Sequence, residues 1–294
     1  VNHSPPASLA QALRELDRAF DRKGAIHNDP LGCVHALAPE QRELGAHVAA
    51  MLSYGAVGQI RKAIGQVWDA CDGDLVGASC DPASLRRRLA GFAYRMTSAD
   101  DVTSLVAGLG CLLEEHGSLA AAFASGDDGQ GDIQGPLTVY VRHLRSGMAE
   151  WSAGSRGARY LTPDPSTGSA VKRWCMMLRW LARPDDGADL GLWGDMLATD
   201  RLVIPLDTHT SRLSWWLGLT TRKTVDFKAA RDVTDALRAV DSLDPLRFDM
   251  PLCHLGISGA CQHRFVESVC SECSLSGLCV FTRALGGKPR LASD

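Results

Sequence analysis

The chain has no run of about 18 apolar residues, the length a membrane-spanning helix requires, and this excludes a helical membrane protein. Strand-like alternation is scarce, no repeat of solenoid length appears, and no low-complexity tract is long enough to form a disordered arm. Positive charge is not in excess either: 31 Lys and Arg stand against 34 Asp and Glu, a net charge of -3. A uniformly basic surface for phosphate neutralisation is therefore excluded, although a local one is not. The stretch from Val1 to Asp21 is polar and lacks the charged-then-apolar order of a signal peptide, so the expectation is a cytoplasmic protein with no membrane partner.

Helical periodicity dominates the 294 residues. Leu9, Leu13, Leu16 and Phe20 recur at spacings of three and four, and similar patterns predict helices over Ala46 to Trp68, Ala83 to Tyr94, Val102 to Glu115, Leu137 to Trp151, Ser169 to Ala182 and Phe227 to Val240. Clusters of Gly, Pro, Asp and Ser separate them, and Leu202 to Leu206 reads as a connecting segment because Pro205 interrupts it. The pattern predicts an all-α protein.

Charge is distributed unevenly. Between Leu137 and Arg183 stand Arg142, Arg145, Arg156, Arg159, Lys172, Arg173, Arg179 and Arg183, opposed only by Glu150 and Asp164. An acidic stretch with Asp185, Asp186, Asp189, Asp195 and Asp200 follows. The basic segment reads either as a solvated surface or as a phosphate-binding one.

Ten cysteines are many for a cytosolic chain, and five of them (Cys253, Cys261, Cys270, Cys273 and Cys279) crowd into one short stretch. Four follow the pattern C-x8-C-x2-C-x5-C from Cys261 to Cys279. Four thiolates can hold zinc or a 4Fe-4S cluster, but zinc sites usually pair two short C-x2-C knuckles, whereas here one such pair is flanked by single cysteines.

The stretch Leu252-Cys253-His254-Leu255-Gly256-Ile257, followed by Cys261, Cys270, Cys273 and Cys279, resembles the C-terminal iron-sulfur loop of endonuclease III and its adenine-glycosylase relatives in the helix-hairpin-helix superfamily. The first gap is longer than the family's. A second segment, Ile204-Pro205-Leu206-Asp207-Thr208-His209-Thr210-Ser211-Arg212-Leu213, resembles the family's V-D-T-H-x-x-R motif, whose Asp is catalytic. Following a Pro-containing linker, Asp207 is placed to cap a helix, where backbone N-H groups and the helix dipole hold its charge. A carboxylate fixed there stabilises positive charge that builds on a sugar as its base departs.

The resemblance also implies a nucleophilic lysine about one helix upstream, and Lys172 stands there, after Pro163-Asp164-Pro165-Ser166-Thr167-Gly168-Ser169-Ala170-Val171. The family's L-P-G-V-G-x-K hairpin is absent and the interval to Asp207 is longer. In this the chain looks more like the archaeal 8-oxoguanine glycosylase branch, or a separate bacterial iron-sulfur branch, than endonuclease III itself. Burial beside Arg173 would depress the Lys172 pKa toward a reactive amine; the other reading of Lys172 is a phosphate contact.

What the resemblance implies is an all-α, endonuclease III-like fold with two helical domains flanking a DNA-binding groove. One domain would cover residues 45–199 with a modified helix-hairpin-helix, and the other residues 1–44 plus 200–294 with the cluster loop. The implied function is base-excision repair: a DNA N-glycosylase and AP lyase, monomeric, cytoplasmic and nucleoid-associated, acting on double-stranded DNA that contains a damaged base, an oxidised one first among the candidates. Its expected catalytic pair is Lys172 and Asp207. Expected DNA contacts are the helix start at Gly168 and Ser169, the side chains of Arg173, Arg179 and Arg212, and Tyr54 or Gln59 filling the gap left by a flipped base. The expected cofactor is a 4Fe-4S cluster on Cys261, Cys270, Cys273 and Cys279. Two rivals stay open: a non-catalytic iron-sulfur DNA-binding or redox-sensing protein, and an N-glycosidase acting on RNA or nucleosides.

Overall fold

In the computed structural model, residues 4–152, 154–262 and 264–283 are described. Among them helix is the predominant structure, and the only paired strands form a hairpin of Ala93–Tyr94 with Thr97–Ser98. Two compact units emerge. One comprises Lys23–Thr167 and Met176–Ala198; the other comprises, among the described residues, those up to Arg22, Gly168–Cys175 and those from Thr199 to Arg283. Gly168–Cys175, which sequence assigns to the end of the 45–199 domain, thus groups with the residues around Asp207.

The first unit is organised by two long helices, Ala99–His116 and Gln134–Ser152, packed side by side. A capping box starts the first of them: Ser98 Oγ accepts from the Asp101 N-H while the Asp101 carboxylate accepts from the Ser98 N-H. Their close approach depends on glycine, because a Cβ on Gly108 would stand 2.7 Å from Met148 Cγ and 2.8 Å from the Leu144 carbonyl oxygen. Beside them a buried polar network forms. His47 is fully buried, bonded through Nδ1 to the Glu43 carbonyl at 2.8 Å and through Nε2 to the Tyr140 hydroxyl at 2.8 Å, while Trp193 Nε1 donates to Glu43 Oε1 at 2.7 Å.

Two expected helices are shorter than their periodicity suggests. The pattern from Ala46 to Trp68 folds as Arg42–Leu52 and Val57–Ala70, broken where Gly55 adopts φ +105°. The pattern from Ala83 to Tyr94 ends at Arg88, and Tyr94 enters the hairpin instead. In both places apolar spacing continues across the break, so periodicity cannot register it.

In the second unit the helix Ala7–Ala19 packs on Pro245–Phe248. The buried Asp17 carboxylate ties these elements, accepting from Arg247 Nε at 2.8 Å and from Arg22. The helix Thr208–Leu217 packs against Phe227–Arg238, Asp249–Ile257 and the short helix Val280–Arg283. Leu202, Val203, Ile204 and Leu206 run extended through the core, their backbone polarity met in part by the bond from the Ile204 N-H to Thr234 Oγ1 at 3.0 Å.

Candidate active site

Lys172 opens the helix Lys172–Ala182, and the turn before it is held from the side. The Gly168 carbonyl accepts the Phe227 N-H at 3.0 Å, and Ser169 forms an antiparallel bridge with Asp226. Gly168 takes φ +79°, which glycine adopts without penalty. Val171 takes φ +38°, an outlying conformation for a β-branched residue, and it is buried at 3% exposure. Its carbonyl accepts the Trp174 and Cys175 N-H groups at 2.9 and 3.2 Å, so the helix begins directly from this strained residue. Backbone strain concentrated one residue before a candidate nucleophile is a feature that apolar spacing does not reveal.

Asp207 is the N-cap of the helix Thr208–Leu217, as its position after Pro205 leads one to expect. Its two oxygens have separate tasks. Oδ1 accepts the Thr210 N-H at 2.8 Å, and Oδ2 accepts a bond from Lys172 Nζ at 2.8 Å. Side chains separated by 35 residues in the chain therefore meet, 37% exposed for Lys172 and 20% for Asp207.

The electrostatics of this pair depart from expectation. Burial pulls the Lys172 pKa down, but the Asp207 carboxylate and its hydrogen bond, with Cys253 and Asp249 adding negative charge, outweigh burial and raise it. Arg173 does not supply the expected depression. For Asp207, burial pushes upward while Lys172, the Thr210 N-H and His209 hold the carboxyl below its ordinary range. The resting pair is ammonium and carboxylate, joined by a single hydrogen bond along which a proton could pass. Asp249, 2% exposed, and Cys253 stand one turn apart on the helix Asp249–Ile257 and act electrostatically on Lys172. Sequence reasoning counted Cys253 only among the clustered cysteines and passed over Asp249, whose position at a helix start was the only available signal.

Of the expected DNA-contacting residues, Gly168, Ser169 and Arg212 are exposed in the same unit as the pair, and Gln59 is exposed on Val57–Ala70 in the other. Three are corrected by their surroundings. Arg179 is 4% exposed and bonds Asp189, which is itself fully buried, through Nε at 3.2 Å; Arg183 joins the same carboxylate and Asp186. Arg173 is also buried, at 9% exposure. Tyr54 is no free wedge, because its hydroxyl bonds the Tyr94 carbonyl at 3.1 Å and Thr97 Oγ1 at 2.5 Å, and Tyr94 and Tyr160 pack on its ring at 4.9 Å. Within the basic segment, Arg179 and Arg183 are thus answered by Asp186 and Asp189 of the acidic stretch, while Arg142, Arg156 and Arg159 are exposed.

All ten cysteines are free thiols. Burial pushes the Cys273 thiol up against the opposing Leu275 N-H, and the charges of Cys261, Cys270 and Cys279 push the same way, so the other three sulfurs lie within electrostatic reach of it. The Val266 N-H points at Cys270 Sγ, 3.5 Å away. Among the described residues no three His, Cys, Asp or Glu side chains converge on one metal-ion position. Four cysteine thiols are the donor set that an iron-sulfur cube takes, one thiolate per iron. The helix Val280–Arg283, directly after Cys279, packs on the helix that Asp207 caps.

A cavity of about 880 Å³ in the second unit is lined by Leu219 to Arg222 and by Asp232, Asp235 and Arg238. Its charges are largely answered by one another, Arg222 by Asp232 at 2.9 Å and Arg238 by Asp235, and neither Lys172 nor Asp207 lines it.

Fold and site together define a mainly helical protein with a half-buried lysine–aspartate pair built on two helix starts. Residues 29–258 match the family described as "Protein of unknown function (DUF2400)", and the chain belongs to that family. The matched span includes Lys172 and Asp207 and ends before Cys261. No curated protein and no solved structure matches the chain.

Proposed function

We propose that this protein is a DNA glycosylase with lyase activity, which removes a damaged base from double-stranded DNA by using Lys172 as nucleophile and Asp207 as its partner. The observation that carries the reading is the 2.8 Å bond between Lys172 Nζ and Asp207 Oδ2, with Asp207 fixed by its cap to Thr210. Asp207 accepts a proton from the Lys172 ammonium once substrate displaces water from the pair. The freed Nζ lone pair attacks C1′ of the sugar, and the glycosidic electron pair leaves with the base, which takes up the proton that Asp207 received. Asp207, again a carboxylate, stabilises positive charge at C1′ as that bond breaks. A second proton leaves the nitrogen as the sugar ring opens to a Schiff base, and removal of a C2′ proton expels the 3′ phosphate.

Cys261, Cys270, Cys273 and Cys279 would hold a 4Fe-4S cluster, whose role when bound is to brace the C-terminal loop; the reaction transfers no electron. The exposed Gly168 and Ser169 and the exposed Arg212 suit phosphate contact. An oxidised purine is the first substrate class to test, and it rests on resemblance alone.

Borohydride reduction of the protein on duplexes carrying single defined lesions should trap a covalent adduct that Lys172→Gln abolishes. Base release without an adduct would reduce the protein to a monofunctional glycosylase. The raised pKa of Lys172 favours one second reading, in which a permanently charged lysine holds a phosphate in a non-catalytic DNA-binding protein. Neither base release nor trapping on any lesion, with DNA binding retained, would establish it.

A further inference from the structure

The helix that Asp207 caps has an outward side that catalysis by the pair does not use. Thr208, His209, Arg212 and Trp215 are exposed and Trp216 is half-buried, whereas Thr210, Ser211, Leu213, Ser214 and Leu217 face the core. Thr208, Arg212 and Trp215 follow one another at spacings of four and three, so they form a single stripe. Trp215 carries a large apolar ring and is nevertheless 37% exposed.

The chain after the helix turns back toward this stripe. Gly218 ends the helix at φ +76°, with the Leu219 N-H bonded to the Ser214 carbonyl at 2.9 Å and the Gly218 N-H to that of Trp215 at 3.1 Å. The following loop brings Lys223 Nζ to 5.5 Å from the centre of the Trp215 ring. The same loop reaches Asp226, whose backbone bridges to Ser169 in the turn before Lys172.

This surface carries a local positive excess on a chain whose net charge is negative. Arg212 and Lys223 are exposed there. Of the carboxylates nearby, Asp232 pairs with Arg222 at 2.9 Å and Asp207 with Lys172, whereas Asp226 keeps its charge and acts on Arg222 and Lys228. An aromatic ring partly open to solvent, with a lysine over it and an arginine one turn away, is the composition that binds a single nucleic-acid strand, the ring stacking on a base and the cations meeting phosphates.

We infer that Trp215, Lys223 and Arg212 bind one unpaired strand segment, with a base on the indole about 12 Å along the helix from Asp207, some three or four nucleotide steps away. The inference rests on the nucleic-acid part of the reading above and not on its catalytic part.

The test is anisotropy of a labelled oligothymidine, and of a duplex with a short single-stranded gap, titrated with the intact protein at several salt concentrations while indole emission is followed. Base release from lesion duplexes is measured on the same variants. Trp215→Ala should weaken oligothymidine binding about tenfold or more, with Trp215→Phe restoring most of the affinity. Lys223→Ala should lower the slope of log affinity against log salt by about one. Wild-type affinity in Trp215→Ala, or a wild-type protein that does not bind oligothymidine, overturns the inference. If Trp215-dependent binding occurs and no lesion base is ever released, the strand surface stands and the glycosylase reading falls; if bases are released and Trp215→Ala binds as wild type, the reverse holds.

Discussion

Two sets of ion pairs stand on the helix Lys172–Ala182 and just beyond it, and they differ in their surroundings. At its first residue Lys172 meets one carboxylate with both partners partly open to solvent. Two turns later Arg179, with Arg183 just past the helix end, meets Asp189, which is fully buried; Arg179 keeps 5% and Arg183 6% of its side-chain exposure. Burial raises the pKa of Asp189 by more than Arg179 and Arg183 lower it, whereas the Asp207 carboxyl, better hydrated and capped by a backbone N-H, is held low. A buried pair is costly to break but holds no reactive group, and an accessible one is cheap to break and can reach a substrate.

The comparison should break most visibly in activity. Lys172→Gln and Asp207→Asn should each lower single-turnover base release by about a hundredfold or more while leaving the thermal midpoint nearly unchanged, since the pair is solvent-screened and Asn also caps helices. A variant that keeps wild-type rates would remove the pair from the chemistry. Next in size is Arg179→Ala, which leaves a buried carboxylate half-answered and should cost about 3–5 kcal/mol in urea unfolding. Its turnover per folded molecule should be unaffected.

A third buried group sharpens the contrast through pH. Burial lowers the His47 pKa to about 4, against the opposing pull of the Glu43 carbonyl and charge. The unfolded chain takes up a proton near pH 6.5 and the folded one does not. Stability should therefore fall by about 3 kcal/mol as pH drops from 6.5 to 4, and His47→Gln should flatten that slope. The Lys172–Asp207 pair contributes nothing in this window, because a depressed carboxyl loses its stabilisation only below the ordinary carboxylate range. Smaller again is Gly108→Ala, which forces apart two packed helices and should cost about 1–3 kcal/mol without altering base release. Finally, Cys270→Ser should lower iron content and the stability of the second unit more than it lowers turnover; a fully stable, iron-free and active variant would contradict a bracing role for the cluster.

Much of the site was legible because its signals are local. Asp207 follows a proline and precedes a helical pattern, and capping is decided within four residues, so the bond to Thr210 could be anticipated from the chain alone. The helix after Lys172 was equally readable from Trp174, Met177, Leu178 and Leu181. Arg179 was misread for the complementary reason. Spacing places Lys172, Arg179 and Arg183 on one side of a helix, but only the packing of Asp189 beneath the arginines determines that this side turns inward there. Val171 and Asp249 were invisible as parts of a site: a positive φ leaves no mark in a valine, and an acid at a helix start has too many ordinary reasons to be there.

By itself, the order of residues determined the helical character, the capped carboxylate and the four-thiol spacing, since each arises from interactions spanning a turn or two. Tertiary structure alone decided that Lys172 and Asp207 form an ion pair, that most of the neighbouring arginines are structural, and that the Lys172 pKa rises. These outcomes depend on which charges burial brings together from distant parts of the chain, and electrostatic energies respond to distance and exposure rather than to sequence separation.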